Sequence, residues 1–326
     1  MNPFKQIEFY EYNDTIKPPA QSVAITVNDK VFSSYQNFSV LVGAPKSRKS
    51  TVGLALLMAH NTGKEIFQIK VKKEGKVVYI DTEQSTYNFY QSFQRVKNYA
   101  GVDHLNPDLY NAYLFRMLDP ADIMDNIELI LATNTDIKLL ILDSITDLIF
   151  DINNIAESRM LTQKFKTWST KYNISIVGLL HLAKTNSYAL GHIGSFCERA
   201  SESMALISKN KDNPYQSHIK SVYMRSDIDF DSFDINFEND TYDITEPITG
   251  YSTRNLKPEE MDLSIHLKHL SNIKAVHYND MSYRDLQKFL KSRYQKGDTY
   301  IKGKLIPYLR DEKMIVQVNK LYQIKC

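Results

Sequence analysis

The chain has 326 residues, 43% of them hydrophobic and 24% charged, with a formal net charge of +2 at neutral pH. That length accommodates about two domains of ~150 residues with full cores, and the composition excludes wholesale disorder and fibrous architectures. Two distant cysteines, Cys197 and Cys326, argue against a disulfide framework or zinc site, and no apolar run approaches the ~18 residues of a membrane span. The start, MNPFKQIEFYEYND, has no apolar leader region, so a cytoplasmic protein without a membrane partner is expected. Eleven glycines are about half the usual ~7%, so a position that needs a missing side chain can be examined by itself.

In chain order, short aliphatic runs alternate with helical patterns. Strands are expected at Phe38–Val42, Val77–Asp81, Tyr113–Met117, Leu139–Asp143 and Ile174–Leu180, nearly continuous in hydrophobicity, as in a parallel sheet covered on both faces. Between them, Lys49–His60, Asn88–Asn98, Ala121–Ala132 and Ile155–Lys171 read as helices, the last with Met160, Leu161, Phe165 and Trp168 at helical spacings. This is the rhythm of a doubly wound α/β domain. From about Ser217 the apolar period becomes two, through Ile219, Val222 and Met224 and then Ile228, Phe230, Phe233, Ile235 and Phe237, which implies antiparallel strands with a phase shift near Ser232. A polar stretch, 251–280, reads as a linker. The final residues, 281–326, read as helices Arg284–Arg293 and Thr299–Arg310 followed by a hairpin, Met314–Val318 and Lys320–Ile324, turning at Asn319. Helix, helix, hairpin is the plan of a winged helix. That segment holds eleven Lys and Arg against four Asp and Glu, a net of +7.

Directly after the first strand comes Gly43-Ala44-Pro45-Lys46-Ser47-Arg48-Lys49-Ser50-Thr51, followed by an apolar helix. Strand, loop, helix is the context in which backbone N–H groups and a helix N-terminus cradle phosphates, so these nine residues are the candidate nucleotide-binding loop. Lys49 is placed to reach the β- and γ-phosphates and Ser50 to ligate Mg²⁺. The pattern asks for glycine before the lysine, and Arg48 stands there instead, either strained in a left-handed conformation or obstructing a phosphate. Two later strands end in acids: VVYIDTE gives Asp81 and Glu83, and LLILDS gives Asp143. A carboxylate at the carboxyl end of a parallel strand faces the ligand crevice, which fits Asp143 to the metal side and Glu83 to water activation. Taken singly, each acid is as well explained as a helix cap.

These segments resemble the nucleotide site of RecA-fold ATPases. The motif order is closest to the RepA-like hexameric helicases of plasmids and mobile elements, over roughly residues 20–245. The resemblance implies a RecA-like, doubly wound, mainly parallel sheet with an antiparallel β extension over 1–250, binding ATP and Mg²⁺. It also implies that His181, in GLLHLAK, senses the γ-phosphate, that the loop Ala183–Ile193 with Lys184 faces DNA, and that Arg225 reaches into a neighbouring subunit's site, although Tyr223 stands where a paired lysine is expected. Assembly into a ring or filament, a hexamer by this analogy, acting on single- or double-stranded DNA with replication or mobilisation proteins, follows from the same resemblance.

Asp227, Asp229, Asp231 and Glu238 have the spacing of a calcium loop, but Ser232 replaces its glycine and the intervening residues alternate as in a strand, so an acidic hairpin face is expected. In the basic tail, Lys302, Lys304 and Arg310 on the second helix are candidate nucleic-acid contacts. Three functions remain open at this level: a DNA-associated ATPase, a nucleotide-gated DNA scaffold with little or no hydrolysis, motivated by Arg48, and a winged-helix regulator whose RecA-like core serves only assembly.

Overall fold

The computed structural model describes residues 14, 20–182, 191–210, 213, 215–238, 241–245, 258–260, 263, 266–267, 269–270, 273, 281–294, 297–319 and 321–325. Lys184 and most of the loop Ala183–Ile193 lie outside them. The chain divides into two units, residues 1–245 and 246–326.

The first unit is built on β3 (Phe38–Gly43), a strand buried at every position. Nine strands form one sheet in which β3 lies between β8 (Ser175–His181) and β9 (Ser203–Lys209), both parallel to it. Beyond β8 come β7 (Ile137–Asp143), β5 (Lys76–Asp81) and the edge strand β6 (Tyr110–Leu114), again parallel. On the other side, β10 (Gln216–Met224), β11 (Phe233–Glu238) and β12 (Thr241–Thr245) extend the sheet antiparallel. This is a doubly wound, mainly parallel plan with an antiparallel extension. Side-chain alternation along the strands feeds two cores. Leu41, Val77, Tyr79, Ile141 and Val177 pack under α1 (Lys49–Thr62) and α2 (Thr86–Tyr99). Val40, Val78, Leu140 and Ile176 pack under α3 (Pro120–Thr133), α4 (Ile155–Tyr172) and α5 (Gly191–Ala200).

The sequence reading needs three adjustments here. The edge strand is Tyr110–Leu114, earlier than Tyr113–Met117, because its frame comes from pairing Val77 with Tyr110 through Asp81 with Leu114, and Met117 is fully exposed. Gly191–Ile193, expected in a loop, begin α5. A small sheet of β1 (Val23–Val27), β2 (Lys30–Ser34) and β4 (Ile69–Val71) was not anticipated, although Asn28 and Asp29, both at positive φ, form the hairpin turn that such residues favour. The acidic run after β10 serves local structure: Asp227 accepts from the Val31 N–H at 3.0 Å and Asp229 from the Ser221 hydroxyl at 2.7 Å.

The second unit contains α6 (Tyr283–Tyr294), α7 (298–311), whose middle turn Ile301–Leu305 is π-helical, and a hairpin of β13 (Ile315–Val318) and β14 (Leu321–Ile324), with Asn319 at positive φ in its turn. Leu286, Leu290, Leu305, Leu309 and Ile315 form its core. Part of the stretch read as a linker joins that core. His266, His269, Leu270 and Ile273 are buried at the spacing of one helix face, a pattern hidden from a purely apolar count because two of its members are histidines.

Candidate functional site

The site is assembled at the carboxyl ends of β3, β5, β7 and β8. At the end of β3, Gly43 is irreplaceable on steric grounds, since a Cβ there would lie 2.4 Å from both the Ile207 carbonyl oxygen and Ser47 Oγ. The loop then turns through Lys46 and Arg48, both at positive φ, into α1. Arg48 is the N-cap of α1, at φ 75° and ψ 29°; it makes no side-chain cap, and the first turn holds no acid. The N-terminal N–H groups and the positive end of this 14-residue helix are therefore left for an external anion.

Lys49 and Arg48 leave the loop on opposite sides of β3. The Lys49 side chain, 5% exposed, runs toward β8: its ammonium donates to the carbonyls of Gly43 at 3.0 Å and Ala44 at 3.1 Å and to His181 Nδ1 at 3.2 Å. Burial pushes the Lys49 ammonium below its usual pKa. Arg48 runs across β9 to β10, where Nη1 donates to Ser217 Oγ at 2.7 Å and the guanidinium lies 5.8 Å from the Phe237 ring centroid. Its head group is thus turned toward the antiparallel extension and away from the side of the loop that Lys49 occupies.

His181 links the loop to the acid after β5. An ammonium can only donate, so Nδ1 is the acceptor, and the ring proton sits on Nε2, which donates to Glu83 Oε1 at 2.7 Å. That hydrogen bond first, and the Lys49 ammonium behind it, hold the Glu83 carboxyl below its ordinary pKa against the opposing effect of burial. Asp81 has another task. It accepts from the N–H groups of Glu83 at 3.0 Å and Gln84 at 2.6 Å and so shapes the turn that presents Glu83.

Asp143 ends β7 and is 4% exposed. Its carboxylate accepts from Tyr79 Oη at 2.8 Å and from the Ser50 hydroxyl. Burial first, and the neighbouring Asp81 second, push its pKa up to about 7. Thr82 bridges the two strand ends, accepting from the Ser144 N–H at 2.9 Å and donating to Asp147 at 2.7 Å.

The structure therefore brings together Gly43 through Thr51, Glu83, Asp143 and His181. It does not bring Arg225 to the same place. β10 begins beside the loop, with Ser217 opposite Lys209, and ends with Met224 opposite Ser203, so Arg225 lies roughly 25 Å away along the strand at ~3.3 Å per residue. There its side chain donates to the Arg199 carbonyl at 3.3 Å. Lys302, Lys304 and Arg310 are exposed on α7 in the second unit. Sequence reasoning missed Tyr79, Thr82 and Ser217. Tyr79 carried a signal, as the one polar-tipped residue in the apolar run VVYI, two positions before Asp81 and so on the same face. Ser217 carried none, because its contact spans 170 residues.

The donor set fits a nucleotide and a divalent cation. Ser47 Oγ is buried without a hydrogen-bond partner among the described residues, the N-terminus of α1 is uncapped, and an ammonium lies over the loop carbonyls. Ser50 Oγ beside the Asp143 carboxylate is a hard oxygen pair suited to Mg²⁺ directly and through water.

Residues 30–187 match a family model described as an AAA domain. The match and the loop geometry together support a P-loop ATPase domain. No curated protein sequence matches the chain. Among solved structures, the crystal structure of the RadB recombinase is similar with a TM-score of 0.46 and 14% identity, over 65% of this chain and 91% of that one. A KaiC-like protein from the hyperthermophilic archaeon Pyrococcus horikoshii gives a TM-score of 0.49 and 11% identity, over 70% of this chain and 100% of that one.

Proposed function

We propose that the protein is a DNA-associated, oligomeric, Mg²⁺-dependent ATPase of the RepA-like kind. The observation that carries the catalytic part is the continuous chain from Lys49 through His181 to Glu83, set across from Ser50 and Asp143 at the mouth of an uncapped helix N-terminus. In this reading the backbone of residues 43–51 binds the phosphates and Lys49 exchanges its loop carbonyls for phosphate oxygens. Mg²⁺ would supply neutralisation of the phosphate charge. Ser50 and Asp143 would hold it, with Tyr79 fixing the carboxylate. Glu83 orients the attacking water and accepts its proton, for which its lowered pKa keeps it ionised at neutral pH. His181 fixes the Glu83 carboxylate through Nε2–H; once Lys49 has moved, Nδ1 faces the γ-phosphate side, where it binds a phosphate oxygen only after taking up a proton. Arg225, remote from its own loop, acts only in a neighbour's site.

The second unit is the DNA-binding part, a winged helix over 281–326, with Lys302, Lys304 and Arg310 exposed on α7. The test is steady-state ATPase with and without single-stranded DNA for wild type, Lys49→Ala and Glu83→Gln. Both substitutions should reduce turnover by at least about a hundredfold; activity surviving both refutes the site.

A second reading, a nucleotide-gated scaffold, is favoured by one observation. The Lys49 ammonium is already fully engaged by two carbonyls and His181. Tight ATP binding without turnover in the wild type would select it.

A further inference from the structure

Arg48 holds a left-handed backbone conformation that a residue with a Cβ disfavours, at the place where the phosphate-loop pattern has glycine. Its side chain is anchored far away in sequence. Ser217 Oγ, fully buried on β10, accepts from Arg48 Nη1 at 2.7 Å and donates to the Ser47 carbonyl at 3.1 Å, so one hydroxyl ties together two consecutive loop residues. The Phe237 ring on β11 has two guanidiniums near it, Arg48 at 5.8 Å and Arg95 at 5.4 Å from its centroid. On β12, Tyr242 packs against Phe237 at 5.1 Å, and its hydroxyl lies 3.4 Å from Thr51 Oγ1 in the first turn of α1. The loop and the helix it opens are thus fastened to all three strands of the antiparallel extension.

We propose that Arg48 is a positioning residue of the phosphate loop, holding the turn into α1 in a phosphate-ready shape by its tether to Ser217 and Phe237. The extension thereby performs, through a side chain, what glycine achieves in the usual loop by backbone freedom alone. The proposal rests on the nucleotide-binding reading above. It makes an opposite prediction from simple strain or obstruction: restoring glycine relieves the backbone and clears space, yet weakens binding.

The experiment measures the Kd of a fluorescent ATP analogue with Mg²⁺ for the full chain and for Arg48→Gly, Arg48→Lys and Ser217→Ala. Amide exchange of residues 44–51 is followed in the nucleotide-free proteins. Arg48→Gly should raise Kd about tenfold, as expected for losing a hydrogen bond from a charged donor. Ser217→Ala should act in the same direction, and the double variant should bind no worse than about the weaker single one, since both remove one tether. Arg48→Lys, which keeps a cation and a donor but loses the planar group over Phe237, should bind between wild type and Arg48→Gly. Loop exchange should quicken in Arg48→Gly and Ser217→Ala while β3, β7 and β8 stay protected, which also shows that the variants are folded. Arg48→Gly binding as tightly as wild type or tighter, or unchanged loop exchange in both variants, overturns the proposal. A wild type that binds no nucleotide overturns the nucleotide reading and the positioning role with it, whereas binding by wild type and Arg48→Gly alike removes only the positioning role.

Discussion

His181 Nε2 donates to Glu83 Oε1 at 2.7 Å across the carboxyl ends of two strands that are not neighbours in the sheet, β8 and β5. Because Lys49 occupies Nδ1, the ring is neutral and its tautomer is set by its two partners. The contact is a directed hydrogen bond that fixes where the carboxylate points. It also means that the state of the lysine over the phosphate loop is communicated to the proposed base through one imidazole.

Replacing His181 with Ala should therefore lower kcat by about ten- to a hundredfold, the cost of an unpositioned carboxylate, with a smaller change in KM. The pH profile supplies a second readout. The hydrogen bond from His181 is the largest influence holding the Glu83 pKa down, and burial acts against it. Without the imidazole the Glu83 pKa rises, so activity is lost at a higher pH on acidification than in wild type. An acid limb that does not move would show that His181 does not set the state of Glu83.

Much of this site was legible because its parts are local. Gly43 through Thr51 occupy one strand, loop and helix, Asp143 closes an aliphatic run and Glu83 follows another by two residues, so periodicity alone puts them at or just past strand ends. What joins those parts is not local. Ser217 reaches the loop from 170 residues away, and the displacement of Arg48 toward β10 follows from a strand order in which β9 and β10 flank β3 on one side. The frame of β6 and the pairing of β1 with β4 are likewise decided by partners. In the second unit, His266 and His269 complete a buried helix face that polar letters conceal.

For the exposed cations of α7, the expected outcome is electrostatic. Substituting Lys302, Lys304 and Arg310 with Ala should weaken DNA binding similarly across sequences and reduce the slope of log K against log salt by about 2 to 3, if each cation neutralises one phosphate. Gly303, between the two lysines, has no heavy atom within 4 Å of the space a Cβ would take, so that side of α7 is sterically open. Fluorescence anisotropy at several salt concentrations measures both quantities. An unchanged slope removes these residues from DNA contact.

Cys197, on the buried face of α5, is fully buried, and burial pushes its thiol up to about 12. At pH 8 only about one molecule in ten thousand would carry the thiolate. In a Cys326→Ser background, Ellman's reagent should leave Cys197 unmodified in the native protein and react fully after denaturation. Rapid native labelling would mean that α5 opens readily from the sheet.

Acid should act on the second unit through His266. The ring is fully buried, with Nε2 donating to the Pro258 carbonyl at 3.0 Å, Nδ1 accepting from Tyr294 Oη at 2.8 Å, and the rings of Tyr294 and Tyr308 packed around it. The neutral ring with its proton on Nε2 satisfies both partners, and burial lowers the pKa below 6.5. The unfolded chain therefore takes up this proton first. The contribution is fully present above about pH 6.5 and is lost as pH falls toward the folded value, by at most about 1.4 kcal/mol per pH unit. His266→Gln removes the titration and should leave the unit less stable at pH 7.5 but less sensitive between pH 7 and 5. Amide exchange of residues 301–309 across that range measures both. An equal pH dependence in the two proteins would show that the acid sensitivity of this unit does not arise at His266.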